Sequence, residues 1–193
     1  FHLIRFEILG KPVDSACIAI ANHPTLLDYI ILMLGYPRSI CLYKAETLKN
    51  PFLSAYVQLT GCIEGMDGSR EANQRIIEES GARLKEGLQL VVFPEGTRSE
   101  SATSIRRFRA TIFHAAIQNE AVVQPVAIFC QPLFLGKNQP WLEFSKAQNR
   151  MVISYLDPIY MADLPEDKRT VQDLSNLVYT IIEQELKRLE GGG

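Results

Sequence analysis

A histidine and an aspartate that could act together in catalysis lie five positions apart in the segment Ala-Asn-His-Pro-Thr-Leu-Leu-Asp, as His23 and Asp28. Pro24 suits the first position of a helix, because its missing N–H would lack a partner there anyway, so we expect His23 at a strand-to-helix junction. Asp28 would then lie in the second helical turn, where its carboxylate can meet one ring nitrogen of His23. Such a contact fixes the tautomer and leaves the other nitrogen free to accept a proton. The pattern is typical of a general base, although a capping histidine and an acid near a helix N-terminus have the same spacing.

A second polar segment follows an apolar run, in the order Leu-Val-Val-Phe-Pro-Glu-Gly-Thr-Arg-Ser over residues 90–99. If the apolar run is a strand, Glu95, Thr97 and Arg98 lie at the carboxyl edge of a sheet, where α/β proteins tend to bind ligands. Gly96 allows a ligand to approach the backbone, and Arg98 can bind an anionic group through two donors. By itself, the segment is also compatible with an ordinary surface turn.

Four arginines form a cluster within a short span of a chain whose net charge is −2. This arginine cluster consists of Arg98, Arg106, Arg107 and Arg109. Its charge suits a phosphate or anionic lipid headgroups. A solvated face with local salt bridges is the alternative interpretation.

Together, the two polar segments resemble the motifs of the glycerolipid acyltransferases, a family typified by the bacterial 1-acylglycerol-3-phosphate acyltransferases. The family's first motif, N-H-x-x-x-x-D, and its third motif, F-P-E-G-T-R-S, occur here in the family's order at residues 22–28 and 93–99. A weaker similarity links its Lys-centred segment to residues 43–48 and its late Val-Pro-Val strand to residues 123–126. The resemblance spans about residues 18–128 and implies a glycerol-3-phosphate acyltransferase-like fold.

The resemblance also implies a reaction, the transfer of a fatty acyl group to a hydroxyl of a lysophospholipid-like or other lipid acceptor. The co-substrate would be acyl-CoA or acyl carrier protein, and no bound cofactor is implied. His23 would deprotonate the acceptor hydroxyl while Asp28 orients the ring, without an acyl-enzyme. The residues implied in acceptor binding are Glu95, Gly96, Thr97 and Arg98, with Lys44 as a further phosphate contact.

The chain departs from the family in the second motif. After its glycine, the family normally continues into an arginine that holds the acceptor phosphate, whereas residues 61–67 here read Gly-Cys-Ile-Glu-Gly-Met-Asp. The charges of Glu64 and Asp67 would repel a phosphate if they face the site. We therefore predict an acceptor with a less anionic head than lysophosphatidate. Arg70, Lys44 or the arginine cluster could instead fold back to supply the missing charge.

The elements that must position these segments alternate between short β-branched runs and longer amphipathic stretches, which is typical of an α/β domain. We predict a single domain over residues 1–190, with a mostly buried sheet flanked by helices, and interpret residues 191–193 as a linker or tag remnant. The predicted strands are residues 4–9, 17–21, 40–43, 88–93, 122–129 and 151–156, and the predicted helices are residues 25–34, 51–59, 70–85, 108–118 and 171–189. The last helix has an apolar stripe, interrupted by Glu185, that favours docking on the core over lying on a membrane surface.

The composition argues against several kinds of partner. With 47% hydrophobic residues, 22% charged residues and a net charge of −2, nothing indicates nucleic acid. Three scattered histidines without paired Cys/His spacing predict no metal site. The cysteines lie far apart in apolar stretches, which predicts buried free thiols and a reducing compartment. They are Cys17, Cys41, Cys62 and Cys130.

Membrane association is expected to be peripheral. No apolar run approaches the roughly 20 residues that span a bilayer. Because the chain begins at Phe1 rather than at Met, a membrane anchor could have preceded it. We expect a cytoplasmic protein at the inner face of the membrane.

Other classes of function lack their motifs. The chain has neither the G-x-S-x-G elbow of serine hydrolases nor the G-x-x-x-x-G-K loop that binds nucleotide phosphates. The remaining alternative is a lipid-binding or scaffolding relative that keeps the fold without activity. The presence of both His23 and Asp28 favours an enzyme over that alternative.

Overall fold

A computed structural model describes residues 4–43, 48–49, 51–65, 69–136 and 148–192, without the side chains of residues 51–53 and 56. The strands are β1 (Ile4–Leu9), β2 (Ile18–Ala21), β3 (Ser39–Tyr43), β4 (Ile63–Glu64), β5 (Gln89–Val92), β6 (Val123–Gln131) and β7 (Asn149–Tyr155). The helices are α1 (Asp28–Gly35), α2 (Pro51–Thr60), α3 (Arg70–Lys85), α4 (Thr111–Gln118) and α5 (Val171–Gly191). Two 3-10 turns, Met161–Asp163 and Glu166–Lys168, precede α5.

The strands form one seven-stranded sheet in the order β1-β7-β6-β2-β5-β3-β4. Neighbouring strands are parallel except β6 and β7, which are antiparallel. The central strands β2 and β5 are buried along their whole length, because helices cover the sheet on both faces. Helices α3, α4 and α5 pack on the face that carries Ile20 and Val92, and α1 packs on the face that carries Ala19 and Val91.

This topology places the two motifs side by side. Strands β2 and β5 are hydrogen-bonded parallel neighbours that end at Ala21 and Val92. The carboxyl ends of parallel strands lie at the same edge of a sheet. The first motif, residues 22–28, and the third motif, residues 93–99, therefore leave the sheet next to each other.

The predicted fold class and flanked sheet are confirmed, and most predicted elements lie close to the observed ones. Strand β4 was not predicted, because two residues are too few to show an alternating pattern. Helix α1 begins at Asp28, later than the predicted start at residue 25. Asp28 therefore lies in the first helical turn, and the expected second-turn position is wrong.

Helix α5 docks on the core, as its apolar stripe predicts, through Leu174, Val178 and Ile182. Glu185 interrupts that stripe and is nevertheless largely buried. The hydroxyl of Ser154 donates to its carboxylate at 2.6 Å, and Arg188 pairs with it at 2.6 Å. The hydrogen bond from Arg188 is the main cause that lowers the pKa of Glu185. Because Ser154 and Arg188 satisfy its carboxylate, Glu185 can occupy a buried position within the apolar stripe of α5.

The cysteines divide into two kinds. All four are free, and Cys17 and Cys130 are buried as predicted. Cys41 and Cys62 differ from the prediction, because both are half-buried and their Sγ atoms lie 3.3 Å apart. Their separation in the sequence hid this contact, which arises because β3 and β4 are neighbours in the sheet.

Within the described residues, no helix is both long enough and apolar enough to span a membrane.

Candidate active site

His23 lies in the loop between β2 and α1, beyond the carboxyl end of β2. Its Nδ1 atom is 2.8 Å from Oδ2 of Asp28. The side chain of Asp28 is fully buried, whereas 22% of the His23 side chain is exposed. The structure thus brings the two predicted residues together as a half-exposed imidazole on a buried carboxylate.

Thr25 supplies the other donors to Asp28 and explains where α1 begins. Its backbone N–H donates to Oδ2 at 2.8 Å, and its hydroxyl donates to Oδ1 at 2.5 Å. The Thr25 oxygen also accepts from the N–H of Leu27 at 3.1 Å. Because these bonds close a turn ahead of Asp28, the regular helix starts only at that residue. The Thr-x-x-Asp spacing resembles a capping box, since Asp28 accepts from the N–H of Thr25, but Leu27 is the residue that precedes the helix and its side chain makes no capping bond.

The surroundings of Asp28 also select the tautomer of His23. Burial raises the pKa of Asp28, and hydrogen bonds from His23 and Thr25 oppose that rise. Since Thr25 contributes only donors to the carboxylate, the remaining contact is satisfied best by an Nδ1–H of His23 and an ionised Asp28. The Nε2 atom then carries the lone pair that can accept a proton.

Phe93, the first residue of the third motif, packs against the imidazole. The two ring centroids lie 4.3 Å apart with 23° between the planes. The ring of His23 is therefore held by a hydrogen bond through Nδ1 and by an aromatic contact on one face. Phe93 is a site residue that the sequence prediction did not single out.

Asn22 fixes the backbone next to His23. Its buried side chain donates to the carbonyl oxygen of Ile128 in β6 at 2.8 Å and accepts from the N–H of Ile128 at 2.7 Å. These two bonds extend the attachment of β2 to β6 by one residue beyond Ala21. The asparagine of the first motif thus anchors the point from which the loop departs.

Glu95 connects the third motif to the first. Its buried carboxylate accepts from the backbone N–H of His23 at 3.0 Å, from the backbone N–H of Arg106 at 2.8 Å and from the hydroxyl of Ser99 at 3.0 Å. The N–H of Ser99 donates to the carbonyl oxygen of His23 at 2.6 Å. Burial raises the pKa of Glu95, against hydrogen bonds from Arg106 and His23 that lower it. Both backbone polar groups of His23 are therefore bound by the third motif.

The turn after Glu95 requires a glycine. Gly96 has a φ of +68°, and a Cβ at this position would lie 2.9 Å from Nε of Arg109. Arg98 follows in the same loop and donates through Nη1 to the carbonyl oxygens of Leu135 and Gly136, at 2.8 and 3.0 Å. Its guanidinium thus holds the segment that follows β6, a contact that the sequence did not predict.

The predicted acceptor-binding residues of the third motif lie together at the end of β5. They are Glu95, Gly96, Thr97 and Arg98, of which Glu95 is buried and the others are half-buried. Lys44 lies outside the described residues, so its predicted phosphate contact stays a prediction. The acceptor-binding roles of the four residues of the third motif likewise stay predictions.

The arginine cluster divides into three parts, of which the first is Arg98 with its contacts to the segment after β6. Arg106 pairs with Glu100, as the salt-bridge interpretation predicts. Arg107 and Arg109 line a cavity of about 650 Å³ next to Pro94. The cavity has an apolar floor formed by Leu42, Ile76, Val92 and Ile112. Neither His23 nor Asp28 lines this cavity.

Among the residues that the structure describes, no group of three or more His, Cys, Asp or Glu side chains is placed to hold a metal ion.

A comparison with models of protein families leads to the same family as the two motifs. The model of the Acyltransferase family matches residues 6–129, and the chain belongs to this family. A 1-acyl-sn-glycerol-3-phosphate acyltransferase of Cocos nucifera is 28% identical, over 83% of this chain and 54% of its own length. The enzyme of that name from Helicobacter pylori is 27% identical, over 78% of this chain and 63% of its own. A lyso-ornithine lipid O-acyltransferase of Rhodobacter capsulatus is 28% identical, over 65% of this chain and 46% of its own.

Among solved structures, the 1-acyl-sn-glycerophosphate acyltransferase PlsC of Thermotoga maritima matches with a TM-score of 0.70. The match has 21% sequence identity and covers 96% of this chain and 72% of the other. At this identity it shows that the fold is shared. The chain spans between half and two thirds of the length of the Cocos and Helicobacter relatives.

Proposed function

We propose that this chain transfers a fatty acyl group from a thioester, acyl-CoA or acyl carrier protein, to a hydroxyl of a lipid acceptor. The observation that carries the proposal is the contact of 2.8 Å between Nδ1 of the half-exposed His23 and the buried Asp28. This contact leaves Nε2 of His23 available at the edge of the sheet where ligands bind in α/β proteins. Membership of the Acyltransferase family supports the same reaction.

In the proposed mechanism, Nε2 of His23 takes the proton of the acceptor hydroxyl while its oxygen attacks the thioester carbonyl carbon. The C–O bond forms, a tetrahedral oxyanion collapses, and the C–S bond breaks. The leaving thiolate takes the proton back from the imidazolium, so the base is regenerated without an acyl-enzyme. Asp28 stabilises the imidazolium through Nδ1–H, as the acid does in a catalytic triad.

An inactive lipid-binding relative is the alternative. The structural network around His23 speaks against it, because Asp28 and Glu95 are both buried carboxylates, whose desolvation costs free energy. Asp28 orients the imidazole and Glu95 binds the backbone that carries it. A protein that only bound lipid would gain nothing from keeping this half-exposed ring in one tautomer.

For the acceptor, we propose a head less anionic than the phosphate monoester of lysophosphatidate. Glu64 ends β4, in the segment where the resemblance to the family leads us to expect an arginine, and it is exposed. Replacing a charge-assisted donor by a carboxylate should weaken phosphate binding by about tenfold or more. The name of the Rhodobacter relative specifies a lyso-ornithine lipid as its acceptor, which supports the proposal of an acceptor other than lysophosphatidate. Arg107 and Arg109 in the neighbouring cavity are the charges that would oppose this preference.

We further propose that the protein works at the cytoplasmic face of a membrane, in peripheral contact with it. Two apolar side chains of α1, Ile30 and Leu34, are 59% and 78% exposed, and residues four apart share one face of a helix. This face would contact the lipid surface in which the acceptor resides. Co-sedimentation with anionic vesicles should fall for Leu34→Asp and not for Leu177→Asp on α5, and equal binding by both variants would refute the contact.

The reaction is tested by following thiol release from acyl-CoA and from acyl carrier protein with a thiol reagent. Each donor is supplied with lysophosphatidate, a zwitterionic lysolipid or a neutral hydroxylated lipid. We expect acceptor-dependent release that is lost in His23→Ala, with a higher kcat/KM for a zwitterionic or neutral acceptor. No release with any pair of substrates would favour the inactive relative, and a clear preference for lysophosphatidate would refute the acceptor proposal alone.

A further inference from the structure

A pair of thiols lies at one margin of the sheet, apart from the residues assigned to acyl transfer. Cys41 is in β3, and Cys62 immediately precedes β4. Because Leu42 pairs with Ile63 in the parallel register, the two cysteines lie opposite each other one position earlier. Their Sγ atoms are 3.3 Å apart, and both residues are half-buried.

The groups around Cys62 favour its thiolate. Its sulfur is 3.3 Å from the thiol of Cys41, accepts from the backbone N–H of Cys41 at 3.3 Å and lies 3.1 Å from the hydroxyl of Thr60. The hydrogen bond from Cys41 is the main cause that lowers the pKa of Cys62, and the same contact raises the pKa of Cys41. Tyr29 of α1 is a smaller cause that also lowers the pKa of Cys62. A thiolate, rather than a thiol, is the reactive form of cysteine.

We propose that Cys62 and Cys41 are a reversible oxidation site, at which hydrogen peroxide or an organic peroxide converts the two thiols into a disulfide. In the first step the Cys62 thiol loses its proton, the thiolate attacks the peroxide, an S–O bond forms and the O–O bond breaks. The products are a sulfenic acid and hydroxide, or an alkoxide from an organic peroxide, and this leaving group takes up the proton that the thiol released. In the second step Cys41 attacks the Cys62 sulfur, the S–S bond forms and water leaves. With hydrogen peroxide, the pair gives up two electrons and the peroxide is reduced to two waters.

The backbone allows this bond. Neighbouring strands of a sheet lie about 4.8 Å apart, which is inside the range of roughly 4.4 to 6.8 Å between the Cα atoms of disulfides. The two sulfurs already touch, so closure needs a rotation of the side chains and no rearrangement of the strands. Partial exposure of both residues lets a small oxidant reach them.

The other two cysteines serve as controls within the same chain. Cys17 and Cys130 are buried, and burial raises the pKa of Cys17 to about 12 and that of Cys130 to about 11. They should therefore remain reduced under conditions that oxidise the pair. Their inertness would show that reactivity follows the local environment and not merely the presence of a thiol.

The test is peptide mapping of the folded chain after treatment with equimolar hydrogen peroxide. We expect one peptide pair joined by Cys41 and Cys62, with a loss of two hydrogen atoms that dithiothreitol reverses. Alkylation of the untreated chain at neutral pH should label Cys62 at least tenfold faster than Cys17. Absence of the joined peptides, or oxidation of Cys17 and Cys130 at the same rate, would overturn the proposal.

Two substitutions separate the roles of the thiols. Cys62→Ser should abolish peroxide consumption by the pair, whereas Cys41→Ser should leave a sulfenic acid at Cys62 that a dimedone-type reagent traps. Trapping at Cys41 in the Cys62→Ser variant, with none at Cys62 in Cys41→Ser, would reverse the assignment of the nucleophile and contradict the proposal. The mapping of the unsubstituted chain decides the question if either variant fails to fold.

Discussion

The centre and the margin of the sheet hold their functional groups in different ways. At the centre, β2 has hydrogen-bonded neighbours on both sides, and the loop that follows it is fixed through Asn22, Asp28 and Glu95. At the margin, β4 consists of two residues and, within the described part of the chain, pairs only with β3. The central groups form the site proposed for proton transfer. The marginal groups, Glu64 and the Cys41–Cys62 pair, lie in the segment that departs from the family motif.

This difference indicates at which positions a substitution costs little stability. A change in the central network leaves a buried carboxylate or backbone group without its partner. Each such group lowers the free energy of unfolding by about 1 to 3 kcal/mol. A change in an exposed side chain at the margin usually costs within about 0.5 kcal/mol. The common chemistry of a family is therefore expected at the centre and its acceptor preference at the margin.

The largest effect is expected when His23, the proposed general base at the centre of the sheet, is removed. His23→Ala should lower transfer by about 10² to 10⁴-fold, the usual contribution of a positioned general base, while the fold is retained. His114→Ala on the exposed face of α4 is the matched control and should retain full turnover. Thiol release under saturating substrates measures both. Near-normal turnover of His23→Ala would show that proton transfer does not depend on the centre.

Asp28→Asn should lower turnover by roughly 10- to 10³-fold, because the neutral amide stabilises the imidazolium less than a carboxylate does. The amide has one acceptor oxygen in place of two, so it cannot accept from the Thr25 hydroxyl at Oδ1 as well as from His23 at Oδ2, and it no longer selects the tautomer. The Michaelis constant of the acceptor should change little, although the free energy of unfolding should fall. The chain contains a matched control, since Thr170 caps α5 and its hydroxyl donates to Asp173 with the same Thr-x-x-Asp spacing. Asp173→Asn should cost stability and leave turnover intact. Equal losses of turnover in the two variants would show that Asp28 acts only in capping the helix.

Glu95→Gln tests whether the third motif positions His23 or binds the acceptor. The amide group would face the N–H of Arg106, and an unpaired buried donor should cost about 1 to 3 kcal/mol of stability. If Glu95 holds the His23 backbone, kcat should fall about tenfold with a nearly unchanged acceptor KM. Steady-state kinetics and thermal unfolding measure the two effects. A rise in KM alone would instead assign the carboxylate to acceptor binding.

Arg98→Lys keeps the charge but loses the planar guanidinium. If Arg98 binds an anionic acceptor, KM should rise severalfold for lysophosphatidate, more than kcat falls, and less for a neutral acceptor. Its contacts with the carbonyl groups of Leu135 and Gly136 suggest a competing outcome, a uniform loss for all acceptors. A uniform loss would show that Arg98 holds the segment after β6. Arg188→Lys on α5 controls for a general effect of the substitution.

The smallest effect is expected at the margin of the sheet, for a substitution of Glu64. Glu64→Gln removes one exposed charge and should raise kcat/KM for lysophosphatidate by roughly 1.4- to 5-fold, without change for a neutral acceptor. Glu78→Gln on the exposed surface of α3 is the control and should leave the ratio of the two acceptors unchanged. An unchanged ratio in Glu64→Gln would place this carboxylate away from the acceptor.

Local patterns predicted much of the molecule. The bounds of β1 and α3 match their predicted residues, because alternating or helical periodicity ran to clear ends in the sequence. The predicted start of α1 was too early, because Pro24 indicates a helix N-terminus whereas residues 25–27 form a turn ahead of the regular helix. The short strand β4 carried too little pattern to be found.

The sequence by itself determined the class of fold, the family and the closeness of His23 to Asp28, since five residues of chain and one turn can make that contact. Only the tertiary structure decided that Glu95, 72 positions away, binds the backbone of His23, and that Cys41 and Cys62 touch. Both contacts depend on which strands are neighbours. Strand order follows from how the helices cover the whole sheet, and no local stretch of sequence encodes it.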